Sequence, residues 1–165
     1  MKREPTIIST FTTYIMNISF ADFAAGTQER SDTIETIFKY TQCLCEALKH
    51  NYVDSAIRGH KQFADKSVES SFEHTHHMQK ISELKDGECP IDFIIQTKRK
   101  YHKIVFIDGG GQKSVHAFID INTGDVLKAA SWNSPVKDIR YNLLNDEQRE
   151  WLYQNADYST GYLYK

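Results

Sequence analysis

Cysteine is scarce in this chain of 165 residues, with only Cys43, Cys45 and Cys89 present. So small and odd a number excludes the disulfide framework of a small secreted domain, and a reduced cytosolic chain is the simpler expectation. One residue separates Cys43 from Cys45, which is not the two-residue spacer of a redox or zinc knuckle. Long apolar runs are missing too. No stretch approaches the roughly 18 continuous apolar residues that a membrane helix needs. The N-terminus, MKREPTIISTFTTYIMNISF, starts basic and turns apolar. Thr and Ser interrupt it at nearly every second position and no small-residue cleavage site follows, so no signal peptide is expected. Charge of one sign is likewise absent. With 20 Lys and Arg against 22 Asp and Glu, the net charge is -2, which argues against a surface built throughout to neutralise phosphates. There is no internal repeat and no low-complexity segment.

What is present is ordinary globular material, 40% hydrophobic and 25% charged, at a length that suits one domain. Residues Thr6 to Ile18 alternate β-branched or aromatic residues with Thr and Ser, so residues 1–30 are expected to form an edge strand or an extended arm. Ser31 and Asp32 then supply an N-cap for Ile34, Ile37, Phe38, Thr41, Leu44, Cys45 and Leu48, one face of an amphipathic helix. A weaker helical stripe spans Val53 to Ser70, with Gly59 as a possible break, and a third spans Ser71 to Leu84, stopping near Asp86-Gly87. Residues 31–86 are therefore expected to be mainly helical.

After Cys89-Pro90 the period becomes two. Ile91–Thr97, Tyr101–Asp108, Lys113–Ile121 and Val126–Ala130 read as four strands of an antiparallel meander with short links. Ser134-Pro135 reads as a capped helix start, and Asn145 as the cap of a second short helix over Asp146–Asn155. The aromatic tail from Tyr158 to Tyr164 is strand-like and expected to dock. The fold class that results is α+β: a helical N-terminal half packed on a small antiparallel β-meander, with short C-terminal helices.

Several stretches invite a chemical reading. Gly109-Gly110-Gly111-Gln112-Lys113-Ser114 resembles a phosphate loop, but position 106 is Phe rather than the first glycine, and the residues after Ser114 alternate like a strand. Without a helix there is no dipole aimed at an anion, so a hairpin tip is the better reading. His74 and His77 share a helix face while His76 points away; with a third ligand from Glu73, His60, Cys89 or His116 they would make a metal site, and solvated or structural histidines are the simpler expectation. His116 as a lone histidine is read as a packed or surface residue rather than as a base. Asp108, Asp120 and Asp125 stand at strand ends, where turn chemistry explains them; as a cluster they would bind Mg²⁺.

The C-terminal half also interleaves Lys98, Arg99, Lys100, Lys103, Lys113, Lys128, Lys137 and Arg140 with Tyr101, Trp132 and Tyr141, the combination a single-stranded nucleic-acid platform uses. Trp132 is expected to bury its ring where the sheet meets the Ser134-Pro135 helix. Lys113, Lys128, Trp132, Lys137 and Arg140 are accordingly the candidate anion- or partner-binding residues. No catalytic residue, metal ligand or cofactor is assigned.

From Lys113 the stretch KSVHAFIDINTGDVLKAASWNSPVKDIRYNLL, together with the ending ADYSTGYLY, resembles a family of small uncharacterised tailed-bacteriophage proteins. The resemblance covers about the last third of the chain and implies a phage origin, with no catalytic residues to carry over. The expectation that follows is a non-enzymatic accessory protein that binds a host or phage protein, or single-stranded nucleic acid, in the host cytoplasm and not in a membrane. The alternatives are a virion component of capsid or tail, whose Thr-rich arm adds a strand to a neighbour, and a small metal-dependent hydrolase or nuclease using the strand-end aspartates and His116.

Overall fold

The computed structural model describes residues 19–164. They fall into two compact units, one ending at Thr36 and one starting at Ile37. A single helix, α1 (Phe20–Lys66), supplies residues 20–36 of the first and opens the second. It is followed by α2 (Phe72–Lys85), β1 (Asp92–Thr97), β2 (Tyr101–Ile107), β3 (Lys113–Asp120), β4 (Asp125–Ala129), β5 (Pro135–Asn142), α3 (Asp146–Asn155) and a 3₁₀ turn (Gly161–Leu163). The strands form one antiparallel sheet in the order β1-β2-β3-β4-β5. The α+β class with a helical N-terminal half and an antiparallel meander is what the structure shows.

Three local expectations change. Residues 20–30 are helical, not an arm or edge strand, and the expectations for Thr6 to Ile18 lie outside the described residues. The helix starts where Ser19 Oγ accepts from the Asp22 N–H at 3.1 Å. Ser31 and Asp32 therefore sit inside it, with Asp32 accepting from Gln28 one turn earlier at 2.8 Å. Gly59 does not break the helix, which continues to Lys66. The third change is at Ser134-Pro135, which opens the strand β5 rather than a helix. Pro135 begins an edge strand, where its missing N–H costs no ladder bond. The cap at Asn145 is where it was expected, accepting from the Gln148 N–H at 3.0 Å, and Ser71, read as the start of the third helical stripe, caps α2 by accepting from the His74 N–H at 3.1 Å.

In the second unit the helical period and the strand period meet on one core. Ile37, Leu44 and Leu48 recur along α1, and Phe93, Ile104, Ala117, Ile119, Val126 and Tyr141 take the same face of the sheet; together with Leu143, Leu152, Tyr162 and Leu163 they form one buried cluster. Thr41 is inside the same stripe, its hydroxyl donating to the Ile37 carbonyl at 2.8 Å. The expected docking of the tail takes the form of the 3₁₀ turn, which buries Tyr162 and Leu163, and not of a strand. On the other face, Lys103, Phe118 and Leu127 lie abreast on β2, β3 and β4, and all three are buried.

Two glycines separate backbone need from tolerance. Gly124 stands at φ +75°, and a Cβ there would meet Leu144 Cγ at 3.2 Å. Gly59 lies in the helix with open space around its missing Cβ. Gly124→Ala is expected to destabilise the fold by about 1–2 kcal/mol, from left-handed strain and the close contact. Gly59→Ala is expected to stabilise it by about 0.5–1 kcal/mol. Urea unfolding of the two variants checks both signs.

Candidate functional site

The five candidate binding residues lie on β3, β4, β5 and the link between β4 and β5. Lys113 opens β3 and is exposed. Lys128 on β4 rests its ammonium 3.5 Å from the centroid of the Tyr164 ring. Lys137 and Arg140 are on β5, the neighbour of β4, where Lys137 is exposed and Arg140 half-buried. Trp132 remains 43% exposed rather than buried at a sheet–helix junction, because that helix does not form. Its role is with Lys103: the Lys103 ammonium lies 4.2 Å from the ring centroid and donates to the Trp132 carbonyl at 3.2 Å. Burial, and then the charge of Lys98, hold this lysine below its ordinary pKa. Trp132 thus covers a cation taken out of water, which the ring face and carbonyl together stabilise.

The groups with possible acid, base or metal chemistry mostly have structural partners. Asp108 Oδ1 accepts from the N–H groups of Gly110 and Gln112 at 2.9 and 2.8 Å, closing the glycine-rich hairpin tip. Asp120 Oδ1 accepts from the N–H groups of Asn122 and Thr123. Asp125 accepts from the Thr123 hydroxyl and from Asn142 Nδ2. At Asp108 and Asp120 these are the Asx turns expected of aspartate at strand ends. His116 is buried, with Nε2 at 2.8 Å from the Tyr162 hydroxyl. Among the described residues no group of three or more His, Cys, Asp and Glu side chains is placed to hold a metal ion. His74 contacts the Ala64 carbonyl through Nδ1, and His77 contacts His60.

The place where polar and aromatic groups do meet on an open surface is the groove between β5 and α3. Asn145 caps α3, with Asp146 and Glu147 in the first turn, where the helix dipole favours acids. Arg149 ties the helix down, bonding Asp146 at 2.7 Å and the Leu143 carbonyl at 3.0 Å, with its guanidinium 4.1 Å from the Tyr40 ring centroid. Leu152 enters the core with no exposed surface. Its neighbour Trp151 is left lying flat on Tyr141, ring centroids 5.2 Å apart and planes 17° from parallel, and it is 43% exposed.

Arg140, Tyr141, Glu147, Gln148 and Trp151 line this groove, whose volume is about 460 Å³. Gln148 Oε1 accepts from the Asn142 N–H at 2.7 Å and so fixes the wall to the end of β5. Beside the groove, Ile139 on the same strand is 59% exposed and Leu144 40%. β5 pairs with β4 on one side and has no strand on the other among the described residues. The site therefore combines a rigid aromatic platform, one cation, one acid and a sheet edge. Side chains arranged in this way can pack against a segment of chain, and the described residues that line the groove include no nucleophile–base pair. Arg140 and Tyr141 were legible as part of a basic and aromatic face. Glu147, Gln148 and Trp151 were not; the signal for Trp151 is its position beside the buried Leu152, at the rim of the helix's apolar face.

No curated protein and no solved structure matches the chain. Over residues 20–165 the sequence matches the model of a family of unknown function, DUF7717, and the chain belongs to that family.

Proposed function

We propose that the protein is a non-enzymatic binding module whose partner is another protein, held in the groove between β5 and α3. The observation that carries this reading is Trp151, a large exposed ring immobilised on Tyr141 at the mouth of an open groove. Rigid aromatic anchors of this kind dominate the energy of protein interfaces, because they bring large area at little entropic cost. A protein ligand is favoured over a nucleic acid on charge. Glu147 shares the groove with Arg140, Lys128 is engaged with Tyr164, and Lys103 is buried under Trp132. The occupied turn oxygens of Asp108 and Asp120 likewise favour binding over hydrolysis. On the resemblance of the last third of the chain to tailed-phage proteins, the proposed setting is an infected bacterial cell and the partner a host protein.

Affinity capture from such cells tests the reading when wild type is compared with Trp151→Ala and Ile139→Asp, each checked for folding by circular dichroism. A partner retained by wild type and weakened at least tenfold by both variants is expected, as for a central aromatic anchor worth about 2 kcal/mol or more. A partner retained equally by all three would place the interface elsewhere.

A further inference from the structure

The α1–α2 pair carries an arrangement that the groove does not use. His60 on α1 and His77 on α2 bring their Nδ1 atoms to 2.9 Å, with ring centroids 5.2 Å apart. Both rings are half-buried, and Phe63 stacks on the His77 ring at 5.3 Å, planes 16° from parallel, which holds its orientation. His60 also lines a cavity of about 300 Å³, together with Tyr52, Lys80, Glu83, Glu88 and Cys89 among others. Two imidazoles on different helices have no reason in helix packing alone to direct the same ring nitrogen at each other.

The separation itself is informative. Nitrogens bound to one ion at about 2.0–2.1 Å lie about 2.9 Å apart when the angle between them is 90°, and about 3.4 Å apart at the tetrahedral angle. Imidazole suits copper, nickel and zinc, and the first two accept ligands at right angles. We propose that His60 and His77 are a two-histidine clamp for a divalent transition-metal ion, Ni²⁺ or Cu²⁺ ahead of Zn²⁺. The cavity beside His60 has room for the water molecules that complete the ion's coordination; Glu83 there is paired with Lys80 at 2.7 Å, and Glu88 offsets part of the added positive charge. In the absence of an ion the same pair satisfies itself, one ring donating its proton to the other. Binding shifts the donated proton to Nε2 of the same ring, so that both Nδ1 lone pairs face the metal; this joins α1 to α2 and makes affinity fall as pH drops and the rings protonate.

The test uses the full chain without a histidine tag, stripped with chelator and titrated with Ni²⁺ by calorimetry and thermal unfolding. One ion per chain is expected, with the melting temperature raised by about 5–10 °C at a hundredfold excess over Kd. His60→Gln and His77→Gln, which keep a polar group between the helices, are each expected to weaken binding at least tenfold, while His50→Gln leaves it unchanged. In the unaltered protein, trace Cu²⁺ should broaden the ring proton signals of His60 and His77 before those of His50 and His116. Affinity that is unchanged in His77→Gln, or early broadening at other histidines, would overturn the proposal.

Discussion

Leu163→Ala is expected to lower the stability of the protein by about 2–5 kcal/mol, a fall of roughly 5–15 °C in melting temperature for a chain of this size. Leu163 is two residues from the end of the chain, where truncations are usually tolerated. Here the tail is instead part of the core. Leu163 has no exposed surface and packs in the same cluster as Leu44, Ile119 and Leu152. Its position is fixed by polar bonds to the two residues before it. Tyr141 donates its hydroxyl to the Tyr162 carbonyl at 3.0 Å, and Asp157 accepts from the N–H groups of Gly161 and Tyr162. Thr160, held at φ +71°, turns the chain into the 3₁₀ helix. Removing the leucyl side chain leaves a cavity that these bonds prevent from closing, so the cost should fall toward the upper half of the range. Thermal unfolding by circular dichroism reads the result, and a shift below about 2 °C would show that the tail is not docked as described.

The second large effect is a pH dependence centred on His116. Burial pushes its imidazole down to about 4, with the Asp157 carboxylate working weakly in the opposite sense. An unfolded histidine titrates near 6.5, so between the two values the unfolded chain binds a proton that the folded chain refuses. The stability tied to neutral His116 is thus complete above about pH 6.5 and is lost progressively as pH falls toward 4, by about 3 kcal/mol in all. Its surroundings explain why the charged form is excluded: Phe93 meets the ring edge-on at 5.2 Å, Tyr162 stacks on it, and Nδ1 has no hydrogen-bond partner among the described residues. His116→Gln should be less stable than wild type at pH 7.5 and lose much less on going to pH 4.5. Urea unfolding across this range decides the point. Parallel pH profiles for the two proteins would mean that His116 does not govern the acid limb.

How much of this was legible in the sequence follows from which interactions are local. The strands β1 to β4 and the cap at Asn145 could be read because alternation and capping act over a few residues. The boundaries that failed are those where local signals conflict. Ser31 and Asp32 are good caps, but Gln28 and the residues before it continue the helix, and a hydrogen bond to Gln28 suits Asp32 equally well. Ser134-Pro135 suits a helix start and an edge strand alike. What selects the strand is distant, namely pairing with β4 and the burial of Tyr141 against Tyr162 and Trp151. The candidate site suffers most from this. Trp151 meets Tyr141 only through the fold, His60 meets His77 across a helix turn, and His116 meets Tyr162 across 46 residues of chain. Cations counted along the sequence pointed to one basic face, yet Lys103 and Lys128 are each engaged with an aromatic ring.

The proposed partner site is the groove between β5 and α3. It is tested most directly by placing a photoreactive phenylalanine analogue at position 147, in the groove wall, and in a second protein at position 61, on the exposed side of α1. Irradiation in infected cells should give a discrete crosslinked product from position 147 that is absent from position 61 and lost when Trp151→Ala is added. No product from position 147, or the same products from both positions, would contradict the account.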